Sequence, residues 1–320
     1  MARHEPSQRP LTVTVAIAAN VAIAVAKLLV AIPSRSAAML AEGVHSLVDA
    51  GNQGLILLGI ARSRRPADAS HPFGYGREVY FWSLIYAVLL FGVGGGISIS
   101  EGVDHLISPS PPANAGWALV VLGVAFVAEG ASLFVALRAI RRAAPGEGLI
   151  ASLRHSKNPA HFLVVAEDGG AVLGLVIAAI GVSWSTLTGD SRPDAIASLI
   201  IGAILCCVSI SLIVHTHRFV LGQASDGDVI RGVQGIVEAE PDVEIVGVPL
   251  TMHNGPNDVL LALNVKFRHG LDTSALANAI DRLESAVRSE YPQMKRIYVE
   301  AQLLARDIDA EQPAGSSNAR

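Results

Sequence analysis

Charged residues are scarce in this sequence. Asp, Glu, Lys and Arg make up 16% of its 320 residues and hydrophobic residues 51%, whereas a soluble domain carries about 25% charged residues. So low a charge content excludes an ordinary soluble domain and indicates a membrane protein. Runs of Lys and Arg are also lacking, which argues against a nucleic-acid partner.

Cysteine is almost absent. The only two, Cys206 and Cys207, are adjacent in an apolar run, so they provide neither a disulfide framework nor a zinc-finger spacing. We interpret both as buried thiols. The motif His-Glu-x-x-His is absent as well, which argues against an intramembrane metalloprotease.

Six apolar runs are long enough to cross a bilayer, whose core of about 30 Å requires roughly 20 helical residues. The first is too long for a signal-peptide core, and no small-residue cleavage site follows it, so we expect it to be retained. The sequence predicts a six-helix transmembrane domain over residues 11–218, after a cytoplasmic tail of residues 1–10. The runs cover residues 11–32, 37–60, 79–100, 116–138, 159–183 and 194–215.

Positive charge is distributed unequally between the loops. The N-terminal segment and the loops after the second and fourth runs carry eleven Arg and Lys residues, whereas the opposite loops carry only Arg35 and Arg192. Because positively charged loops stay in the cytoplasm, we expect both termini there. No Ser-rich and Arg-rich leader precedes the first run, so we expect a bacterial inner membrane.

Residues 219–306 change in character and become polar, mixed and rich in turns. Helical and alternating apolar patterns predict the order α-β-β-α-β, with one strand over 243–252 and a half-buried strand over 259–267. That order suits a small two-layer α+β domain. Residues 307–320 are polar, and we predict that they form a disordered tail.

The stretch "AMLAEGVHSLVDAGNQGLILLGIA" is apolar but contains Glu42, His45 and Asp49. His45 and Asp49 are four residues apart and therefore share one helix face. Ionisable groups at bilayer depth usually face the bundle interior and mark an ion site, and imidazole with carboxylate suits zinc. The alternative is a neutral His45 hydrogen-bonded to a protonated Asp49 as a helix contact. We expect Glu42 at an entrance or interface.

The fifth run, "NPAHFLVVAEDGGAVLGLVIAAIG", carries adjacent carboxylates at Glu167 and Asp168. Adjacent helical residues diverge by about 100°, so the two cannot face one ion equally. Glu167 could instead carry protons or join helices. Ionisable residues on both the second and the fifth helices favour one ion site shared by the two helices over two unrelated polar positions.

Three motifs in this sequence resemble the cation diffusion facilitator family. They are His45-x-x-x-Asp49, the loop "DASHPFGYGREVYFWSL" that begins near Asp68, and "DAIASLIIG" over residues 194–202. The resemblance extends over about residues 10–305. It is strongest to the branch that contains the animal zinc transporter nine.

The resemblance implies six transmembrane helices, a cytoplasmic ferredoxin-like domain and a homodimer. It implies export of Zn²⁺ or a related divalent cation as substrate in exchange for protons, with no organic cofactor. By position, His45, Asp49 and Asp168 match the family's transport site. The fourth ligand position holds Val164, so Glu167, His161 or a water would have to supply it, or three protein groups alone would bind the ion.

The resemblance also places an auxiliary zinc site at Asp68 and His71 in the loop after the second helix. Tyr75 replaces a second His of that pattern, so these residues could instead only shape the turn. In the C-terminal domain His253, His269 and Glu300 are scattered, and we expect no metal there.

Two other functions are compatible with this sequence. One is a metal-sensing receptor with the C-terminal domain as its output, although that domain carries no catalytic or nucleic-acid signature. The other is an exporter of Mn²⁺, Fe²⁺ or Co²⁺ with the same fold. His45 among carboxylates favours zinc, because oxygen-rich sites favour manganese.

Overall fold

The structure is a computed structural model that describes residues 10–109, 113–143 and 159–302. The predicted N-terminal and C-terminal tails lie almost wholly outside these ranges. The chain divides into two compact units. The membrane unit comprises Met1–Gly59 and Phe81–Thr216, and the sheet unit comprises Ile60–Tyr80 and His217–Arg320.

Long helices correspond to all six predicted runs. The third is interrupted by a π-helical segment, which falls in the glycine-rich stretch "FGVGGG". The helices are α1 Pro10–Ser34, α2 Ala37–Ser63, α3 Glu78–Leu89, the π segment Leu90–Gly95, α4 Gly96–Ile107, α5 Ala115–Ala143, α6 Pro159–Thr188 and α7 Arg192–Leu221.

Within the described residues, four stretches are long and apolar enough to cross a membrane: Glu78–Ile107, Ala115–Arg138, Glu167–Thr188 and Arg192–Leu221. The apolar part of α1, Asn20–Ser34, is shorter. Helix α2 is continuous, but polar residues interrupt its apolar sequence. These stretches identify an integral membrane protein. Spanning by all six helices stays a prediction.

Small residues allow close contact between α4 and α7. A Cβ atom on Gly202 would lie 3.0 Å from the backbone nitrogen of Ile99, and Ser198 Oγ donates to the Ser98 carbonyl at 2.7 Å. Cys206 is half-buried, but Cys207 is exposed. The interpretation of two buried thiols is therefore wrong, because adjacent helical residues point about 100° apart.

Asp194, at the start of α7, caps α2 from outside that helix. Its carboxylate is buried and accepts hydrogen bonds from Ser36 Oγ at 2.6 Å and from the backbone nitrogens of Ala37 and Ala38 at 2.6 and 3.4 Å. The first backbone N–H groups of a helix have no partner within the helix. The "DAIASLIIG" motif therefore anchors the N-terminus of the helix that carries His45.

Asp194→Ala is expected to destabilise the protein by about 2–3 kcal/mol, because it leaves buried donors unpaired. In detergent the midpoint of thermal unfolding should fall by roughly 3–5 °C. Asp104→Ala, which removes an exposed carboxylate of α4, is the matched control. Equal midpoints for the two variants would contradict the capping role.

The sheet unit has the predicted element order, with one difference. The predicted strand over 243–252 is two strands, because Pro249 has no N–H to continue the ladder. Strand β3 is central, with β1 and β2 antiparallel along one edge and β4 parallel on the other. The elements are α8 Gly227–Glu238, β1 Val243–Val246, β2 Leu250–Gly255, β3 Asp258–Phe267, α9 Thr273–Glu290 and β4 Met294–Gln302.

The core of the sheet unit lies between its two helices and β3. The predicted alternation of β3 is confirmed, with every second side chain from Val259 to Phe267 buried. Val233 of α8 and Leu283 of α9 are buried in the same cluster. A ferredoxin-like identity for this unit stays a prediction.

The loop after α2 belongs to this unit. Arg77 Nη2 lies 2.9 Å from Met252 Sδ and 3.4 Å from Asn254 Oδ1. Gly76 lies so close to the Asn254 carbonyl that a Cβ atom would collide with it. Arg296 lies over the Phe73 ring at 5.6 Å. The glycine-rich loop is therefore packed against β2 and β4.

Candidate metal centre in the membrane unit

His45 and Asp49 share one face of α2, as their spacing predicts, with His45 buried and Asp49 half-buried. His45 Nε2 lies 3.3 Å from Asp49 Oδ2. His45 is 3% exposed, and neither of its ring nitrogens has a hydrogen-bond partner among the described residues. A buried imidazole with unused nitrogens is suited to bind a metal ion.

Helix α6 brings Glu167, rather than Asp168, to this pair. The Tyr86 hydroxyl of α3 lies within hydrogen-bond distance of Glu167 Oε1 at 2.7 Å and of Asp49 Oδ1 at 3.1 Å. Asn52 Nδ2 donates to the same Glu167 oxygen at 3.2 Å. The centre therefore joins His45, Asp49 and Glu167, with Tyr86 bridging the two carboxylates.

Asp168 faces a different helix. Its Oδ2 accepts a hydrogen bond from Ser132 Oγ of α5 at 3.0 Å. The divergence of about 100° between adjacent helical residues explains this separation. The side chains of His161 and Val164 lie outside the described residues, so the fourth ligand stays open.

The contacts of the Tyr86 hydroxyl limit how hydrogen bonds are shared within the centre. A phenol has a single O–H and can donate to only one carboxylate at a time. The two contacts, to Asp49 and Glu167, therefore suit a state in which one of those carboxylates carries the second proton. Among the residues with described positions, no three His, Cys, Asp or Glu side chains converge as a ready metal site. The described side chains are therefore joined by hydrogen bonds.

Sequence reasoning missed several residues around this centre. Lys27 of α1 and Glu129 of α5 are ionisable groups inside apolar runs, and that signal could have identified them. Glu42 is completely buried and forms an ion pair with Lys27 at 3.1 Å. This position contradicts the expected entrance role, whereas the expected role at an interface between helices agrees with the contact between α1 and α2. Tyr86 carried no comparable signal, since a tyrosine in an apolar run is unremarkable.

In the loop of the sheet unit, hydrogen bonds within the loop already satisfy the Asp68 carboxylate. Its Oδ2 accepts from Tyr75 at 2.6 Å, and its Oδ1 accepts from the Ser70 hydroxyl and from the backbone nitrogens of Ser70 and His71 at 2.7–3.0 Å. These donors, Tyr75 foremost, hold the pKa of Asp68 well below its usual range. The structure therefore gives Asp68 a turn-forming role, and an auxiliary metal at Asp68 and His71 stays a prediction.

Apolar helices around a buried group of ionisable side chains define a multi-spanning membrane protein with a candidate intramembrane ion site. The profile of the cation efflux transmembrane domain matches residues 13–218, more than half of the chain. The chain belongs to this family, the cation diffusion facilitators.

Curated relatives agree with this family. Metal tolerance protein C4 of Arabidopsis thaliana is 34% identical over 82% of this chain and 57% of its own length. The human proton-coupled zinc antiporter SLC30A9, mitochondrial, is 36% identical over 73% of this chain and 42% of its own length. The cation-efflux pump FieF of Escherichia coli is 25% identical over 80% of both chains.

The similarity to SLC30A9 confirms the predicted branch of the family. This chain spans about half the length of the plant and animal relatives that it matches. The animal relatives are named as mitochondrial, so they do not support the expected bacterial inner membrane.

Proposed function

We propose that this chain is a secondary transporter that exports divalent cations, with Zn²⁺ preferred, from the cytoplasm in exchange for protons. His45, Asp49 and Glu167 bind the ion, and protons replace it on the same groups. Metal ligands must be deprotonated, so metal and proton binding exclude each other. That competition is the physical basis of antiport.

The Tyr86 bridge is the observation that carries this proposal. It brings Asp49 and Glu167 to one hydroxyl group, an arrangement that suits a proton on one carboxylate, beside an imidazole with unused nitrogens. Arrival of a divalent cation removes that proton and breaks the bridge. Arrival of protons restores the bridge and releases the ion.

The choice of Zn²⁺ rests on the donor set. One imidazole nitrogen with two carboxylates suits zinc, whereas a set of oxygens alone would favour Mn²⁺ or Mg²⁺. The names of the SLC30A9 relatives, which describe zinc antiporters, agree with this choice. The other divalent metals remain the alternative substrates within the same mechanism.

Transport in sealed vesicles tests the proposal. Purified protein is reconstituted into proteoliposomes with an imposed pH difference, and uptake of Zn²⁺, Mn²⁺, Fe²⁺ and Co²⁺ is followed without ATP. We expect proton-driven uptake that is fastest for Zn²⁺ and that collapses when an ionophore dissipates the pH difference. A metal-sensing receptor would bind metal without flux, and that result would overturn the proposal.

Tyr86→Phe is expected to strengthen Zn²⁺ binding. The phenol stabilises the proton-bearing arrangement, and a hydrogen bond to a charged group contributes about 1.5–3 kcal/mol. Its loss should lower the Kd for Zn²⁺ roughly 10-fold or more. The variant should also retain Zn²⁺ down to a lower pH.

Isothermal titration at several pH values measures both effects of Tyr86→Phe. Tyr298→Phe, which changes an exposed tyrosine of β4, is the matched control and should bind as the wild type does. Weaker Zn²⁺ binding in Tyr86→Phe would mean that the phenol acts as a ligand and not as a competitor.

We also propose that both termini are cytoplasmic and that the protein works as a homodimer in the bilayer. The unequal loop charges support this orientation. A C-terminal tag should resist protease added outside sealed cells and be cleaved only after permeabilisation. Cleavage in sealed cells would reverse the orientation and, with it, the direction of export.

A further inference from the structure

A second buried ionic group lies beside the candidate metal centre in the membrane unit. Lys27 of α1 is 0% exposed. Its Nζ donates to Glu42 Oε2 at 3.1 Å and Ser46 Oγ at 2.7 Å, both on α2, and to Glu129 Oε1 of α5 at 3.1 Å. Two carboxylates and a hydroxyl thus surround one ammonium, as oxygen ligands surround a hard metal cation.

The group has more oxygen atoms than the ammonium uses. Among the described residues, Glu42 Oε1 and Glu129 Oε2 are buried without a hydrogen-bond partner. Unpaired buried oxygens are costly. Glu42 Oε1 lies against Gly174 of α6, where a Cβ atom would collide with it. The pocket therefore offers five oxygens, of which Lys27 contacts three.

Charge makes the pocket suitable for a divalent cation. Two ionised carboxylates and one ammonium leave a formal charge of −1, whereas a divalent cation in place of the ammonium would leave the group neutral. An uncompensated charge at this depth is unfavourable. The donors are all oxygen, a set that favours Mn²⁺ or Mg²⁺ over Zn²⁺.

We propose that Lys27 is a specificity-determining residue. Its ammonium occupies an oxygen-lined cation pocket, formed by Glu42, Ser46 and Glu129, and keeps divalent cations such as Mn²⁺ out of it. A tethered cation has a high effective concentration and outcompetes a dilute free ion. Since Glu42 lies one helical turn from His45, this exclusion confines the transported ion to the neighbouring centre.

Replacement of the ammonium by an apolar group of similar length tests the proposal. Lys27→Met is made in the full chain with Asp49→Ala, which removes a ligand of the neighbouring centre, and Mn²⁺ binding is measured by equilibrium dialysis and electron paramagnetic resonance. We expect one additional Mn²⁺ per chain compared with Asp49→Ala alone. Lys27→Arg in the same background keeps the cation and should add none.

The oxygen ligands are tested in the same protein. Adding Glu129→Gln to Lys27→Met and Asp49→Ala should weaken the new Mn²⁺ site at least about 10-fold. Unchanged affinity in that triple variant would overturn the assigned ligands. A folded Lys27→Met protein that binds no additional Mn²⁺ would overturn the proposal as a whole.

Folding provides a second readout if Lys27→Met is unstable. Recovery of monodisperse protein by Mn²⁺, judged by size-exclusion chromatography, supports the pocket. If Mn²⁺ does not restore the fold, the ion pair is only structural and the proposal fails. The inference rests on the proposed function only for its role in selectivity. The added site is counted with the neighbouring centre disabled, so its failure is distinguishable from failure of transport.

Discussion

Asp49→Ala is expected to reduce Zn²⁺ flux in proteoliposomes to the level of protein-free vesicles. The substitution removes a carboxylate beside His45 and ends the bridge through Tyr86, so neither the metal nor the exchanging proton retains its site. Loss of a charged ligand typically lowers metal affinity by more than the 10–100-fold that a supporting residue contributes, which is about 1.4–2.8 kcal/mol. Flux assays and Zn²⁺ titration both measure the change.

The fold should survive this substitution. Tyr86 keeps its hydrogen bond to Glu167, and removal of a half-buried carboxylate also removes the cost of its partial burial. Asp49→Asn preserves the shape of the side chain and should be equally inactive, whereas Asp104→Ala, at an exposed position of α4, should transport normally. Wild-type flux in Asp49→Ala would eliminate the proposed centre.

Glu167→Gln is expected to weaken Zn²⁺ binding more than Asp168→Asn does. Glu167 and Asp49 both contact the Tyr86 hydroxyl, whereas Asp168 accepts a hydrogen bond from Ser132 of α5. We expect Glu167→Gln to lose more than about 100-fold in affinity and Asp168→Asn to lose less than about 10-fold. Both exchanges remove one charge and keep the size of the side chain, so each is the control for the other.

A larger loss of affinity in Asp168→Asn than in Glu167→Gln would support the assignment made by resemblance to the family. In that assignment Asp168 is the ligand and Glu167 transfers protons. In that case Glu167→Gln would keep its affinity and alter only the pH dependence of transport. Equal losses would mean that both carboxylates bind the ion, with Glu167 in place of the ligand that Val164 does not provide. Titration calorimetry on the two variants separates these three outcomes.

Sequence reasoning was most successful where the physical signal is local. The hydropathy of a segment depends only on residues that are neighbours in the chain, so the six apolar runs predicted the six long helices closely. A period of two predicted the buried face of β3. Spacing by four placed His45 and Asp49 on one face. Pro249 also carries a local signal, but the prediction of one strand over 243–252 overlooked it.

The sequence by itself determined the long helices, most of the strands, the α2 face with His45 and Asp49, and membership of a cation efflux family. Only the tertiary structure decided that α6 directs Glu167, rather than Asp168, toward Tyr86 and Asp49. Adjacent helical residues point about 100° apart, so the rotation of the helix decides which of the two faces the centre. The tertiary structure alone placed Tyr86 between the carboxylates and Lys27 beside Glu129, 102 residues away. Such contacts depend on how helices pack, and helix packing is set by side chains distant in sequence.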